Sequence, residues 1–324
     1  MMLVIGSTAG NDMRYSDEKV LACRNFANKL WNASRFVQMN LPEDFEPGLP
    51  EESLLDMSDK WILSELAKVA AEATANLDKY ELGLAAEKVE NFIWEVYCDW
   101  YIEICKTRLN GEDAAAADAA RKVLVYVLDK ALKLLHPFMP FVTEEIWQDL
   151  APRKEGESIT VAPMPQPAEA DGQLLARFEL AREVISSVRN VRNQKNLPQK
   201  EALTLKVIAD ENYPAEYAPV MRKMANLTAI ETVTEKDPAA AAFIVKTTQY
   251  FVPMAGKIDA EAERRKLTDE LAYQKGFLAI VMKKLSNERF VQSAPGKVVA
   301  NERAKQADAE AKIAAIKAQL EALS

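Results

Sequence analysis

The sequence predicts a mainly α-helical protein, in which a helical bundle is followed by a small α/β module and an antiparallel coiled-coil hairpin. Three patterns along the chain support this prediction. Apolar residues recur at helical spacing up to about residue 150, alternate as in strands between about residues 203 and 252, and follow heptads from Ile258 onward. With 324 residues, the chain is long enough for about two domains.

The first predicted helix runs from Ser16, which can cap its N-terminus, to Asn40, shortly before Pro42. Its predicted buried stripe comprises Val20, Cys23, Phe26, Ala27, Leu30, Ala33, Ser34 and Val37. Amides, cations and one aromatic ring occupy the other faces: Arg24, Asn25, Asn28, Lys29, Asn32, Arg35 and Phe36. Such side chains can neutralise phosphate, read base edges and stack on bases. The same composition is also typical of a solvated polar face, and both interpretations remain open at this point.

Four further helices complete the predicted bundle. The second has Ser58 as its N-cap, the third runs from about Glu81 to Leu109, and the fourth runs from about Asp113 to Leu135. A short fifth helix follows Pro140. Many large rings lie on the third helix, and we interpret them as core rather than as a cofactor site.

The α/β module is predicted from a change of period. A helix from Gln173 to about Asn196 precedes it, and four cations are predicted to point outward from that helix: Arg182, Arg189, Arg192 and Lys195. Strands are predicted at 203–208, 230–233 and 243–252, with a helix at about 214–225.

The last part of the chain is predicted to form two helices joined by a Pro-Gly turn. One seam consists of Leu267, Leu271, Leu278, Val281 and Leu285, and the other of Ala309, Ile313, Ile316, Leu320 and Leu323. The turn falls at residues 292–296. The expected organisation is a junction at 1–15, a bundle at 16–168, the α/β module at 169–256 and the coiled-coil arm at 257–324.

Composition and charge limit the possible functions. The formal net charge is −8, which argues against bulk nucleic-acid affinity, but residues 257–324 carry 13 Lys and Arg against 10 Asp and Glu. Any RNA contact should therefore be local. No apolar run approaches the roughly 20 residues that span a bilayer. Three cysteines without CxxC spacing indicate buried thiols in a reducing cytoplasm, and no metal site is predicted.

Motifs for catalysis are missing from the sequence. The only histidine, His136, has no nucleophile or carboxylate partner in a recognisable catalytic arrangement. The chain contains neither GxGxxG nor GxxxxGK. No catalytic residue is therefore predicted.

Several segments resemble the C-terminal part of the bacterial valyl-tRNA synthetases, a family of class I aminoacyl-tRNA synthetases. They are RNFANKLWNASRF, NFIWEVYCDWYIEICK, LLHPFMPFVTEEIW and KKLSNERFVQSAPGKVVANER. The resemblance implies an anticodon-binding domain, followed by a coiled-coil arm that contacts the outer corner of tRNA. It also implies a separate catalytic half, because the His-x-Gly-His and Lys-Met-Ser-Lys-Ser signatures of the family are not in this sequence.

The resemblance also implies site residues. Contacts to the anticodon loop are expected from Arg14, Lys29, Asn32, Arg35 and Phe36. Phosphate contacts in the arm are expected from Lys275, Lys283, Lys284, Arg289, Lys297 and Arg303. Whether a given lysine or arginine of the arm contacts RNA or only keeps a coiled coil in solution stays open.

The expected partners are the tRNA for valine and the catalytic domain of the same protein, with no membrane. We expect a cytoplasmic monomer that holds no cofactor in this part, whereas the whole protein would use ATP and magnesium. The competing hypothesis is a non-catalytic adaptor that binds a protein partner through its coiled coil.

Overall fold

A computed structural model describes residues 1–6, 15–237, 240–254 and 260–286, together with helical positions 302, 303, 305, 306, 309, 310 and 313. The helices are α1 (Asp17–Met39), α2 (Met57–Asp78), α3 (Leu82–Asn91), α4 (Ile102–Leu109), α5 (Ala114–Leu135), α6 (Pro140–Leu150), α7 (Gly172–Gln194), α8 (Ala218–Met224) and α9 (Ala260–Leu285). Short 3₁₀ segments lie at Glu52–Leu54, Ile159–Val161 and Ala215–Tyr217. The predicted mainly helical fold is confirmed.

Contacts divide the chain into two compact units. The first comprises Met1–Ser187, Ala209–Ile230 and Val245–Thr248, and the second comprises Val188–Ile208, Glu231–Ile244 and Gln249–Ser324. Within the described residues, no helix is long and apolar enough to cross a membrane.

Helix α1 begins as predicted, because the Ser16 side chain accepts a hydrogen bond from the Lys19 amide. Five residues of the predicted stripe are buried: Phe26, Leu30, Ala33, Ser34 and Val37. Val20 was predicted to be buried, but it is 38% exposed. Periodicity identifies the inward face of a helix but not how far the neighbouring helices cover it, and Val20 lies in the first turn.

The N-cap of α2 is Asp56 rather than the predicted Ser58. The Asp56 carboxylate accepts from the Asp59 amide at 2.9 Å, and Asp59 Oδ2 accepts from the Asp56 amide at 3.1 Å, which makes a capping box. Asp59 is fully buried. Its carboxylate also accepts a 2.6 Å hydrogen bond from the Tyr101 hydroxyl. It forms an ion pair with Arg108, whose Nη1 lies 2.7 Å from Asp59 Oδ2.

The predicted helix from Glu81 to Leu109 forms, but its middle is a π-helix. α3 leads into a π-helical segment at Phe92–Tyr101, which continues into α4. Hydrogen bonds in a π-helix span five residues instead of four, so side chains in this segment follow a different spacing from the one that the sequence predicts.

Aromatic residues of this helix pack in the core of the first unit, as predicted. Phe178 of α7 stacks on Trp61 of α2 with 3.7 Å between ring centroids, and it makes edge contacts with Trp100 and Tyr217. Arg177, one residue earlier, binds both carboxylate oxygens of Glu216 at 2.7 Å. α7 therefore holds the 3₁₀ segment at 215–217, which precedes α8.

The strands form one sheet with the order β2-β1-β4-β3, where β1 is Leu203–Ile208, β2 Leu227–Thr232, β3 Ala240–Val245 and β4 Thr248–Pro253. β1 and β4 are antiparallel, with Val207 opposite Tyr250. The single strand predicted at 243–252 is wrong, because the chain turns at Lys246 and Thr247 and makes two strands. Lys246 has a φ of 49°, a left-handed conformation typical of turns.

Arg192 was predicted to point outward, but it is buried. Its Nη1 donates to the carbonyl oxygens of Pro198 at 3.1 Å and Glu201 at 2.6 Å. Burial lowers the pKa of the guanidinium, and these carbonyls replace the water that it loses. The partners lie beyond the end of α7, where helical periodicity carries no information about them.

The described part of the arm consists of α9 and the helical positions between 302 and 313. Val281 and Ala309, which belong to the two predicted seams, are buried. Lys284 Nζ lies 3.7 Å from Glu302 Oε2. Leu267 was assigned to a seam and Pro295-Gly296 to the turn, but the side chain of Leu267 and the whole turn lie outside the described residues.

Candidate functional site

A groove of about 500 Å³ lies between α1 and the helix formed by the π-helical segment and α4. Both elements belong to the first unit. The wall from α1 consists of Asn25, Asn28, Lys29, Asn32, Ala33 and Phe36, and the opposite wall of Cys98, Asp99, Ile102, Glu103 and Lys106. The polar face of α1 thus forms one side of an open groove rather than only a solvated surface.

Three asparagine amides line the α1 wall. Within the part of the chain that the structure describes, the side chains of Asn25, Asn28 and Asn32 make no hydrogen bond to protein. Each amide has one acceptor and two donors. Their spacing of three and four residues places them on one helical face, where they can bind a polar ligand.

Lys29 is held by two side chains of the π-helical segment. Its ammonium pairs with Asp99 and lies 4.5 Å from the centroid of the Trp94 ring. Trp94 and Asp99 are five residues apart, which would place them about 140° apart around an α-helix. The π-helical geometry brings positions five apart onto one side, so both side chains reach the same lysine.

Phe36 lies at the other end of the groove and is half-buried. Lys106 Nζ is 5.5 Å from the centroid of its ring and 2.5 Å from Glu103 Oε1. Two hydrogen bonds of 2.7 Å stabilise the C-terminal end of α1. Asn40 Nδ2 donates to the Phe36 carbonyl, and Arg121 Nε donates to the Asn40 carbonyl. The backbone that carries the Phe36 ring is therefore held in place from two directions.

Arg35 does not enter the groove. It is exposed on the outer face of α1 together with Arg24, and Trp31 lies between them at 38% exposure. Residues 24, 31 and 35 are separated by seven and four positions, so they share one helical face. We call these three residues the rim.

The anticodon residues predicted by resemblance therefore fall in two places. Lys29, Asn32 and Phe36 lie in the groove, and Arg35 lies on the rim. Arg14 falls outside the described residues.

Sequence reasoning missed Asp99, Glu103, Lys106 and Trp31. The first three were grouped with a helix interpreted as core, and Trp31 was not assigned to any face. The sequence did contain a sign that Lys106 is not a core residue, because this lysine follows the aromatic residues, where the helix becomes polar. The pairing of Asp99 with Lys29 depends on the π-helical spacing, for which the sequence shows no sign.

Positive and negative charges balance in this groove, since Lys29 and Lys106 are paired with Asp99 and Glu103. Burial raises the pKa of Cys98 to about 12. The Cys98 thiol in the groove is therefore neutral at physiological pH. Among the described residues, no group of three or more His, Cys, Asp and Glu side chains could hold a metal ion.

Four of the predicted arm residues can be located. Lys275, Lys283 and Lys284 are exposed on α9, and Arg303 is exposed at its helical position. Arg289 and Lys297 lie outside the described residues.

Two protein-family models match the chain. A model described as the anticodon-binding domain of tRNA ligase matches residues 59–209, and a model described as the valyl tRNA synthetase tRNA binding arm matches residues 259–324.

Curated relatives match along the whole chain. The valine–tRNA ligase of Parabacteroides distasonis is 43% identical over 324 residues, which cover 100% of this chain and 36% of that protein. The valine–tRNA ligase of Christiangramia forsetii is 41% identical over 323 residues, 99% of this chain and 36% of the relative. That of Bacillus cereus is 42% identical over 315 residues, 94% of this chain and 35% of the relative. The chain thus spans about a third of the length of these relatives.

Proposed function

Because the chain belongs to the valine–tRNA ligase family and matches the C-terminal part of its members, we propose that it binds the tRNA that accepts valine. The groove and the rim contact the anticodon stem–loop, and the arm contacts the outer corner of the tRNA. The observation that carries the proposal is the groove between α1 and the π-helical segment, where amides that bind no other described residue lie beside a half-buried ring.

Each part of the groove has a role in this proposal. The Phe36 ring stacks on an unpaired base, and Asn25, Asn28 and Asn32 bind base edges through their amides. Arg24 and Arg35 on the rim are exposed and neutralise phosphates of the loop. Single-stranded loops are suited to such a site because their bases can leave the stack.

The arm supplies the second contact. Lys275, Lys283 and Lys284 are exposed on α9 and can reach phosphates. The arm is the part of the chain in which positive charge exceeds negative charge. The adaptor hypothesis is not favoured, because both family models describe binding to tRNA or its anticodon.

The remaining expectations belong to the same proposal. The junction, bundle, α/β module and arm keep the boundaries 1–15, 16–168, 169–256 and 257–324. ATP and magnesium would be used by the catalytic domain of the whole protein rather than by this part, which holds no cofactor of its own. The protein would act as a cytoplasmic monomer.

Binding of the purified chain to valine tRNA over a series of salt concentrations tests the proposal. We expect tighter binding to this tRNA than to one with a different anticodon loop, and a linear fall of log K with log salt concentration. Arg35→Ala should reduce the salt slope by about one, because it removes a phosphate contact. Lys79→Ala, which removes an exposed charge after α2, is the matched control. Equal affinity for both tRNAs, or no binding, would contradict the proposal.

A further inference from the structure

We infer that Asp99 and Glu103 are specificity-determining residues of the groove, which exclude RNA phosphate and select a base that presents an amino group. The inference rests on the proposed function, since it names the chemical group that the groove accepts. It assigns a role to the wall opposite α1, which the proposed function does not use.

Both lysines that line the groove are already paired with carboxylates. Lys29 is paired with Asp99, and Lys106 is paired with Glu103 at 2.5 Å. A phosphate entering the groove would have to break these pairs and would then lie beside two carboxylates, which repel it. Among the described residues, Arg24 and Arg35 of the rim make no ion pair, and they are exposed on the outer face of α1. Phosphate is therefore directed to the rim, and the groove is left for a neutral group.

Asp99 and Glu103 can each accept further hydrogen bonds. The lysines use Oδ1 of Asp99 and Oε1 of Glu103, so the second oxygen of each carboxylate can still accept. The Asp99 side chain is 49% exposed and the Glu103 side chain 44%. An ionised carboxylate only accepts hydrogen bonds. It therefore suits the amino groups of adenine, cytosine or guanine and repels the carbonyl oxygens of uracil.

The two walls of the groove determine where a bound base would lie. Asp99 and Glu103 are four residues apart and line the same wall, across from Asn32 and Phe36. A base that stacks on the Phe36 ring presents its edge across the groove toward this wall. The amide of Asn32 adapts to either kind of edge because it can donate and accept. Discrimination between an amino group and a carbonyl is thus assigned to the carboxylates.

Binding of synthetic anticodon stem–loops to the full 324-residue chain tests the inference. The probes are the stem–loop of a valine tRNA and versions in which each loop adenine, guanine or cytosine is replaced in turn by uracil. For the wild-type chain, at least one replacement should weaken binding by about 5- to 150-fold. In Asp99→Asn or Glu103→Gln, that penalty should largely disappear, because an amide can donate to a uracil carbonyl.

A second readout is the salt dependence. Each lysine freed from its carboxylate can contact phosphate, so the salt slope of each variant should become steeper by about 0.7. Glu95→Gln is the matched control, because Glu95 is exposed one turn before Asp99 and does not line the groove. Melting temperatures of all variants verify that the fold is kept.

The outcomes separate the two proposals. A wild-type chain that binds no valine tRNA or stem–loop would overturn the proposed function, and the inference with it. Normal wild-type binding with no penalty for any uracil, or with the same penalty in both variants, would overturn the inference alone.

Discussion

At the residue scale, pairing decides what each charged side chain can do. The resemblance implies that Lys29 contacts RNA, and this stays a prediction; in the structure its ammonium pairs with Asp99 and lies against the Trp94 ring. Arg192 was predicted to be exposed, and carbonyl groups bind it in the interior. The sequence predicts which residues are charged, whereas the partner comes from a distant position and must be observed.

The first prediction concerns Phe36. If its ring stacks on a base, Phe36→Ala should weaken tRNA binding by about 1–3 kcal/mol, roughly 5- to 150-fold. The melting temperature should change little because the ring is only half-buried. Phe26→Ala is the control, because Phe26 is fully buried on the same helix and its loss should cost about 3–5 kcal/mol of stability. A large thermal loss in Phe36→Ala with normal binding by the folded fraction would reject stacking.

The second prediction concerns the buried carboxylate of α2. Asp59→Ala leaves the Tyr101 hydroxyl without its acceptor and removes one carboxylate from Arg108, whose side chain is 14% exposed. We expect a loss of about 3–5 kcal/mol in unfolding free energy, measured by urea denaturation. Asp56→Ala removes the partly exposed N-cap and its 2.9 Å pair with Arg108, but it keeps the buried Asp59 carboxylate, and it should cost only about 0.5–2 kcal/mol. Equal losses in the two variants would show that the buried Asp59 carboxylate contributes no more than the exposed Asp56 carboxylate.

At the element scale, helices with strong apolar periods are predictable and changes of helical geometry are not. The bounds of α1 and α5 lie within one or two residues of the predicted ones, because Ser16 and Asp113 mark their starts and Pro42 follows the end of α1. The π-helical segment could not be predicted, since FIWEVYCDWY reads as an ordinary apolar helix. The turn at Lys246 was missed because neither glycine nor proline marks it.

The third prediction concerns the attachment of α7 to the 3₁₀ segment at 215–217. Hydrogen bonds from Arg177 lower the pKa of Glu216, so this pair stabilises the fold above the unfolded-state pKa of glutamate. The contribution should be lost as the pH falls through the lower folded-state pKa.

We therefore expect the unfolding free energy of the wild-type chain to exceed that of Glu216→Gln by up to about 1 kcal/mol at neutral pH. The difference should shrink on acidification below about pH 4. Arg177→Met should remove the same pH dependence. A difference that stays constant from neutral to acidic pH would contradict this assignment.

At the scale of the whole molecule, charge is distributed unevenly. Residues 257–324 have an excess of three positive charges, whereas the formal net charge of the chain is −8. The order of a helical region, a small sheet and the long helix α9 was predictable because each has its own apolar period and because long segments resemble one family. The groove was not, since it depends on two elements about 60 residues apart in the chain, α1 and the π-helical segment.

The fourth prediction concerns the arm. Replacing Lys275, Lys283 and Lys284 together by alanine should weaken tRNA binding, and the salt slope should fall by about 0.9 for each phosphate that these lysines neutralise. The control removes three exposed lysines from elsewhere: Lys79, Lys154 and Lys236. If both triple variants show the same slope, the arm contributes only net charge rather than specific binding to phosphates.

The ion pairs of the groove, Lys29 with Asp99 and Lys106 with Glu103, also affect the kinetics of complex formation. Paired charges have a weak field at long range, so the groove contributes little to the attraction of an approaching polyanion, and the rim and the arm should set the association rate. The groove acts only once a base has entered it, and it should therefore set the lifetime of the complex. Added salt should then strongly lower the association rate constant. Substitutions of Asp99 or Phe36 should mainly change the dissociation rate constant, and with it the time that the RNA stays bound.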